Sequence, residues 1–170
     1  MTFQDRRIVP VTALALAFLL ADVACAVAPV IKDDGKFFSP EAVKKANEVI
    51  REIAKKYQKD LLIETFEKVP DAQAERVKAM SREERNKFFQ NWAEDREDIA
   101  VVNGIYILVC KQPPQLNIVV TAKTRSSFDQ QAYEKLREIL IKKFAEKKYD
   151  DGLQAAVEFV RSKFEAAGSK

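Results

Sequence analysis

The chain has 170 residues, room for one domain with its own core and a short appendage, and its 47% hydrophobic and 32% charged residues predict a folded body rather than a disordered one. Lys and Arg (29) nearly balance Asp and Glu (26), and the charges are interspersed, so nucleic acid is not expected as a partner. The absence of any histidine removes Ser-His-Asp and Cys-His catalysis, imidazole base chemistry and His-ligated zinc, and leaves carboxylates, hydroxyls, amines and backbone as the available chemistry.

Residues 1 to 26 have the layout of a secretory signal peptide: Arg6 and Arg7, an apolar run from Ile8 to Leu20, then small residues. A helix over Val9 to Leu20 would reach only about 18 Å, short of the ~30 Å hydrocarbon core, so cleavage is expected rather than spanning. Ala24 and Ala26 satisfy the small-x-small rule for cleavage after Ala26. The lost segment carries Arg6, Arg7, Asp5 and Asp22, so the mature charge is unchanged. It also carries Cys25, so Cys110 becomes the single thiol and no internal disulfide can form. Cys110 follows the apolar run Ile105 to Val109, where a buried, inert cysteine is expected. The mature protein is therefore expected to be exported, periplasmic or secreted, monomeric and without a transmembrane helix.

In the mature chain, Val30-Ile31 is a candidate edge strand. Ser39-Pro40-Glu41 combines an N-cap, a proline at the first helical position and an acidic first turn. Val43, Ala46, Ile50, Ile53, Ala54 and Tyr57 then form one apolar stripe ending near Gln58. Leu61 to Phe66 is short, apolar and closed by Pro70, the pattern of a buried strand. Asp71 to about Glu97 reads as polar helix, restarted by the capping box Ser81-x-x-Glu84 and burying Phe88, Phe89 and Trp92. Gly104 to Lys111 and Leu116 to Ala122, separated by Gln112-Pro113-Pro114-Gln115, read as an antiparallel hairpin. Ser127-x-x-Gln130 opens a long helix with Ala132, Leu136, Ile139, Leu140 and Phe144 inward. A last helix, from about Asp151 to Ala166, buries Leu153, Ala156, Val157, Val160 and Phe164. The expected fold is a three-layer αβα sandwich: a small mixed sheet of three to four strands with helices on both faces.

Four stretches in this order resemble the TPM domain family of thylakoid-lumen photosystem II repair proteins and their bacterial relatives. They are Val30 to Gly35 with Phe38-Ser39-Pro40, Asp60 to Phe66, Asn103-Gly104-Ile105 to Val109, and Phe144 to Leu153 with its Tyr149-Asp150-Asp151-Gly152 segment. Together they cover nearly all of residues 29 to 166. The resemblance implies an αβα sandwich facing an extracytoplasmic space, with metal binding in some members and acid phosphatase activity proposed for the plant proteins. The chain departs from the family after its third strand. Where a glycine-rich turn and an acidic residue are usual, it has Thr121-Ala122-Lys123-Thr124-Arg125.

Two sets of residues are candidate sites. Asp33 and Asp34 could supply oxygen ligands to Ca²⁺ or Mg²⁺, joined by Asp98 if the acidic run Glu94 to Asp98 reaches the same end of the sheet; alternatively Asp33-Asp34-Gly35 is only a turn and the acidic run a solvated helix end. Arg125, Ser126 and Ser127 could hold a phosphate or carboxylate, or Ser127 could be a plain N-cap. No organic cofactor is expected. Two functions follow: a binding or accessory module contacting an envelope protein or phosphorylated ligand, or a metal-dependent phosphomonoesterase with the cation on Asp33 and Asp34 and the phosphate on Arg125 and Ser127. The second requires those groups to share one rim of the fold.

Overall fold

The computed structural model describes residues 30–168; the expected signal peptide, its cleavage point and Cys25 lie outside them. The elements are β1 (Lys32–Asp33), α1 (Pro40–Tyr57), β2 (Asp60–Lys68), α2 (Asp71–Ala79), α3 (Arg82–Ala100), β3 (Gly104–Gln112), β4 (Gln115–Val120), α4 (Gln130–Ala145) and α5 (Tyr149–Gly168), with a 3₁₀ turn at Ala122–Thr124. One sheet carries the strands in the order β1-β2-β3-β4, with β1, β2 and β3 parallel and β4 antiparallel to β3.

Both faces of β2 and β3 are covered, which is why β3 reads as a continuous apolar run and β2 as one interrupted only by Glu64 and Thr65 in its buried middle. Leu61, Ile63, Ile105, Ile107 and Val109 face a large core built with α1, α4 and α5. Leu62, Tyr106, Leu108 and Cys110 face a smaller one built with α2 and α3, where Val77, Phe89 and Ala93 are buried. This is the expected αβα sandwich, with three helices on one side and two on the other.

The strand order never reverses, yet α1 lies on one face and α2 with α3 on the other. The β1–β2 and β2–β3 crossovers therefore have opposite hands, and one departs from the right-handed rule obeyed by about 98% of such connections. Because the chain leaves the carboxyl end of β1 toward one face and that of β2 toward the other, a crevice opens between them.

Local sequence explains most boundaries. The Ser39 hydroxyl accepts from the Ala42 N–H at 3.2 Å, and both bonds of the Ser81/Glu84 capping box form. Asn103-Gly104 starts β3 because a Cβ on Gly104 would lie 2.0 Å from the Asp60 carbonyl oxygen; strand and neighbour meet backbone to backbone. The Asn103 N–H donates to the Asp60 carboxylate at 2.8 Å, fixing the register of β3 beside β2.

Several boundaries differ from expectation. The edge strand is Lys32–Asp33 rather than Val30-Ile31, because pairing to Glu64 and Thr65 places the contact two residues later. The polar stretch after Pro70 restarts at the Ser81 capping box as expected, with Met80 extended at the break, but its second helix runs on to Ala100 rather than ending near Glu97. Of its three aromatic residues only Phe89 is fully buried, while Phe88 and Trp92 are half-buried. The hairpin link is just Pro113-Pro114, flanked by Gln112 and Gln115, which both belong to strands. The N-cap of α4 is Asp129, not Ser127: the Asp129 carboxylate accepts from the Ala132 N–H at 2.8 Å, while the Ser127 hydroxyl donates to the Thr124 carbonyl at 3.0 Å. A 3₁₀ turn spends three residues before the helix can start, and buried Phe128 is the last residue before the cap.

Candidate functional site

The crevice at the carboxyl ends of β1 and β2 is built around Asp33. One carboxylate oxygen accepts from the Thr65 hydroxyl at 2.5 Å and the Phe37 N–H at 3.0 Å; the other accepts from the Phe38 N–H at 3.0 Å. The Lys36 N–H donates to the Asp33 carbonyl at 3.0 Å, closing a tight turn in which Lys36 takes a positive φ of 49°. Gly35 donates its N–H to both the carbonyl (3.1 Å) and the hydroxyl oxygen (3.0 Å) of Thr65. A Cβ there would stand 2.9 Å from that hydroxyl and 3.0 Å from the Phe37 ring, so glycine is what lets the turn lie against β2. Asp33 is thus the anchor of the turn, half-buried, and neighbouring Asp34 is the exposed carboxylate of the pair.

Around this turn sit Phe37, Phe38, Phe144 and Tyr149. The Tyr149 ring meets Phe37 at 5.4 Å and Phe144 at 5.3 Å, both edge to face. The Lys111 ammonium lies 5.1 Å from the Phe37 ring centre and pairs with Glu67 at 3.1 Å. The Asp150 carboxylate accepts from the Ser39 N–H at 2.9 Å, so the acidic start of α5 is tied to the start of α1. The Val30 to Gly35 and Tyr149 to Gly152 stretches, remote in sequence, therefore flank one rim.

Asp98, Arg125, Ser126 and Ser127 lie at the other end. Asp98 is exposed in the last turn of α3, which leads to the start of β3, and the chain leaves β4 toward Arg125 beside Gly104, where the Thr121 N–H donates to the Gly104 carbonyl at 3.0 Å. Asp33 pairs with Thr65, whereas Gly104 pairs with Asp60, so the two loop sets stand about 16 Å apart along β2 at about 3.3 Å per residue. The expected gathering at one rim does not occur. Nor are the donors at Arg125 to Ser127 all free: the Ser127 backbone N–H is spent on the Thr124 carbonyl at 3.0 Å, and the Arg125 side-chain Nε–H donates to the Val120 carbonyl at 3.4 Å. Among the described residues, no group of three or more Asp, Glu or Cys side chains is placed to hold a metal ion.

Sequence reading missed Glu64. It is 1% exposed, on the α2–α3 side of β2, and takes two bonds of 2.7 Å from the Arg96 guanidinium, one of 2.8 Å from the Lys32 ammonium and one of 2.8 Å from the Tyr106 hydroxyl. Burial alone would push the Glu64 carboxyl up; Arg96, then Lys32 and Tyr106, reverse this and hold it at about 2. Burial, then Glu64, pushes the Tyr106 hydroxyl well above its ordinary value. The signal was legible: Glu64 interrupts an apolar strand, and a buried charge demands a partner. Cys110 is buried as expected, and burial pushes its thiol up to about 11.

The open mixed sheet with helices on both faces defines an αβα sandwich domain. The TPM domain family matches residues 31–162, and the chain belongs to that family. Among solved structures, it is similar to the N-terminal domain of a protein from P. gingivalis, with 15% identity, coverage of 81% of this chain and 82% of that one, and a TM-score of 0.57. It is also similar to the N-terminal domain of cg2496 protein from Corynebacterium glutamicum (11% identity, 85% and 84% covered, TM-score 0.57) and to BA42 protein from Bizionia argentinensis (14% identity, 77% and 83% covered, TM-score 0.56). At these identities the likeness establishes the fold. No curated protein matches the chain. No helix among the described residues is long and apolar enough to cross a membrane.

Proposed function

We propose that the protein is an exported TPM-type binding module of the cell envelope, and that its ligand-contacting rim is the carboxyl end of the sheet: the turn at residues 33–38, Lys111 and the first turn of α5. What carries the reading is that Asp33 spends both carboxylate oxygens on fastening the turn, while Asp34 is exposed beside it at the mouth of the crevice. That is a rigid platform with one free carboxylate, suited to docking an envelope protein or holding a cation weakly. Ca²⁺ or Mg²⁺ would take Asp34 and the lone pairs Asp33 has left, keep most of its water, and bind with Kd on the order of 10⁻³ M.

The phosphomonoesterase reading needs the phosphate on Arg125 and Ser127 to meet a cation on Asp33 and Asp34, and the register of β2 sets those groups about 16 Å apart. The test is hydrolysis of an aryl phosphate by the protein with Mg²⁺, Mn²⁺ or Ca²⁺. The reading expects no turnover above the metal alone. Turnover that disappears in Asp34→Ala, a change at an exposed side chain, would overturn it in favour of the phosphatase.

A further inference from the structure

We propose that the free edge of β4 is a second docking surface, which takes a basic, extended peptide segment of a partner protein as an added strand. β4 ends the sheet, and its register with β3 together with the Thr121–Gly104 bond makes residues 115, 117 and 119 the ones that exchange bonds with β3. The N–H and C=O groups of Leu116 and Ile118, and the N–H of Val120, therefore point away from the sheet. Among the described residues the Val120 carbonyl alone is met, by the Arg125 Nε–H at 3.4 Å, which marks the end of the edge.

This edge carries none of the usual protections. Its sequence, Gln-Leu-Asn-Ile-Val-Val, has no charge, no proline and high strand propensity. Its second half, Ile118 to Val120, lies instead at the floor of a groove of about 740 Å³ between α3 and α4, with Ile118 only 4% exposed. Main-chain groups left without a protein partner along a sheet edge are a template for pairing, and a strand laid against them satisfies them. The recess also argues against a second copy: helices flank β4 on both faces, so α3 and α4 of two molecules would meet before two such floors came within the ~4.8 Å of paired strands.

The walls select the charge of the occupant. Glu94 on α3 accepts from Gln90 at 2.7 Å, and Glu134 on α4 accepts from Gln130 at 2.8 Å. Asp129 caps α4 through the Ala132 N–H. All three carboxylates are bonded only to neutral donors, and none forms an ion pair among the described residues; Arg125 is the one cation of the lining. A strand bearing Lys or Arg on its outer positions complements both the main chain and the walls.

The probe is a ten-residue peptide alternating lysine and valine, titrated into the full chain, with a glutamate–valine peptide as control. Binding read by amide hydrogen exchange is expected to slow exchange at Leu116, Ile118 and Val120, with no effect from the acidic peptide. The Glu94→Gln/Glu134→Gln variant is expected to weaken binding about tenfold. Leu116→Pro, which removes an outward N–H and leaves the β3 ladder intact, is expected to do the same. Equal binding of both peptides, protection mapping elsewhere, or unchanged affinity in Glu94→Gln/Glu134→Gln would overturn the proposal. Concentration-dependent protection of the same amides without peptide would also overturn it, by making the occupant a second copy. The groove is separate from the carboxyl-end rim, so these outcomes leave the rim's function untouched.

Discussion

Asp33 and Glu64 sit on neighbouring parallel strands, one on each face of the sheet, and the protein treats them in opposite ways. Asp33 faces the large core and is surrounded by neutral donors: two backbone N–H groups and the Thr65 hydroxyl. Glu64 faces the small core and is surrounded by Arg96, Lys32 and Tyr106. The difference follows from burial. A half-exposed carboxylate can be fastened by neutral hydrogen-bond donors alone, and it can organise a loop. A carboxylate 1% exposed needs counter-charges, and once it has them it becomes a fixed part of the frame joining β1, β2, β3 and α3.

The largest effect expected from this contrast is at Arg96. Arg96→Met leaves Glu64 buried with only Lys32 and Tyr106 and should cost about 3 to 5 kcal/mol in chemical denaturation. The triple change Glu64→Met, Arg96→Met, Tyr106→Phe removes the charges together and should cost far less than the single one; a triple variant as unstable as Arg96→Met would refute the counter-charge account. Acid unfolding tests the same point. Because the Glu64 carboxyl is held near 2 in the fold and titrates near 4.5 when unfolded, the stability it contributes is fully present above about pH 4.5 and is lost as pH falls toward 2. That slope should flatten in Arg96→Met.

Smaller effects belong to the Asp33 turn. Asp33→Asn turns an amide NH2, which cannot accept, toward either the Phe38 N–H or the Phe37 N–H and Thr65 hydroxyl, and should cost about 1 to 3 kcal/mol, with faster amide exchange confined to residues 34–38. Thr65→Val removes one donor to Asp33 and one of two acceptors for the Gly35 N–H, and should cost about 1 kcal/mol. Val101→Gly, at the exposed C-cap of α3 where a β-branched residue holds φ at 52°, should stabilise by about 0.5 to 1 kcal/mol. A neutral or destabilising result there would mean that the strain is compensated by the loop into β3.

The sandwich was legible because its determinants are local: caps at Ser39 and Ser81, the glycine that starts β3, and strands apolar on both faces. The edge strand was expected but placed two residues early, since two paired residues carry almost no periodicity. The α4 start was misplaced because Ser127 and Asp129 both suit a cap, and which one serves depends on the 3₁₀ turn before them. At the site, the sequence left Asp33-Asp34-Gly35 open between a cation site and a plain turn, and the hydrogen bonds of Asp33 are those of the turn. The sequence could not show that Arg125 leaves β4 at the opposite end, because that depends on strand direction and register. Glu64 escaped because its partners come from Lys32, Arg96 and Tyr106, on three other elements.

The division of labour at the rim is tested most directly by titrating the ¹⁵N-labelled protein with Ca²⁺ and following every backbone amide. The account predicts shifts confined to residues 33–38 and their neighbours on β2, saturating in the millimolar range and abolished in Asp34→Ala. Concerted shifts at Arg125, Ser126 and Ser127, together with submillimolar affinity, would contradict it and join the two ends of the sheet into one centre.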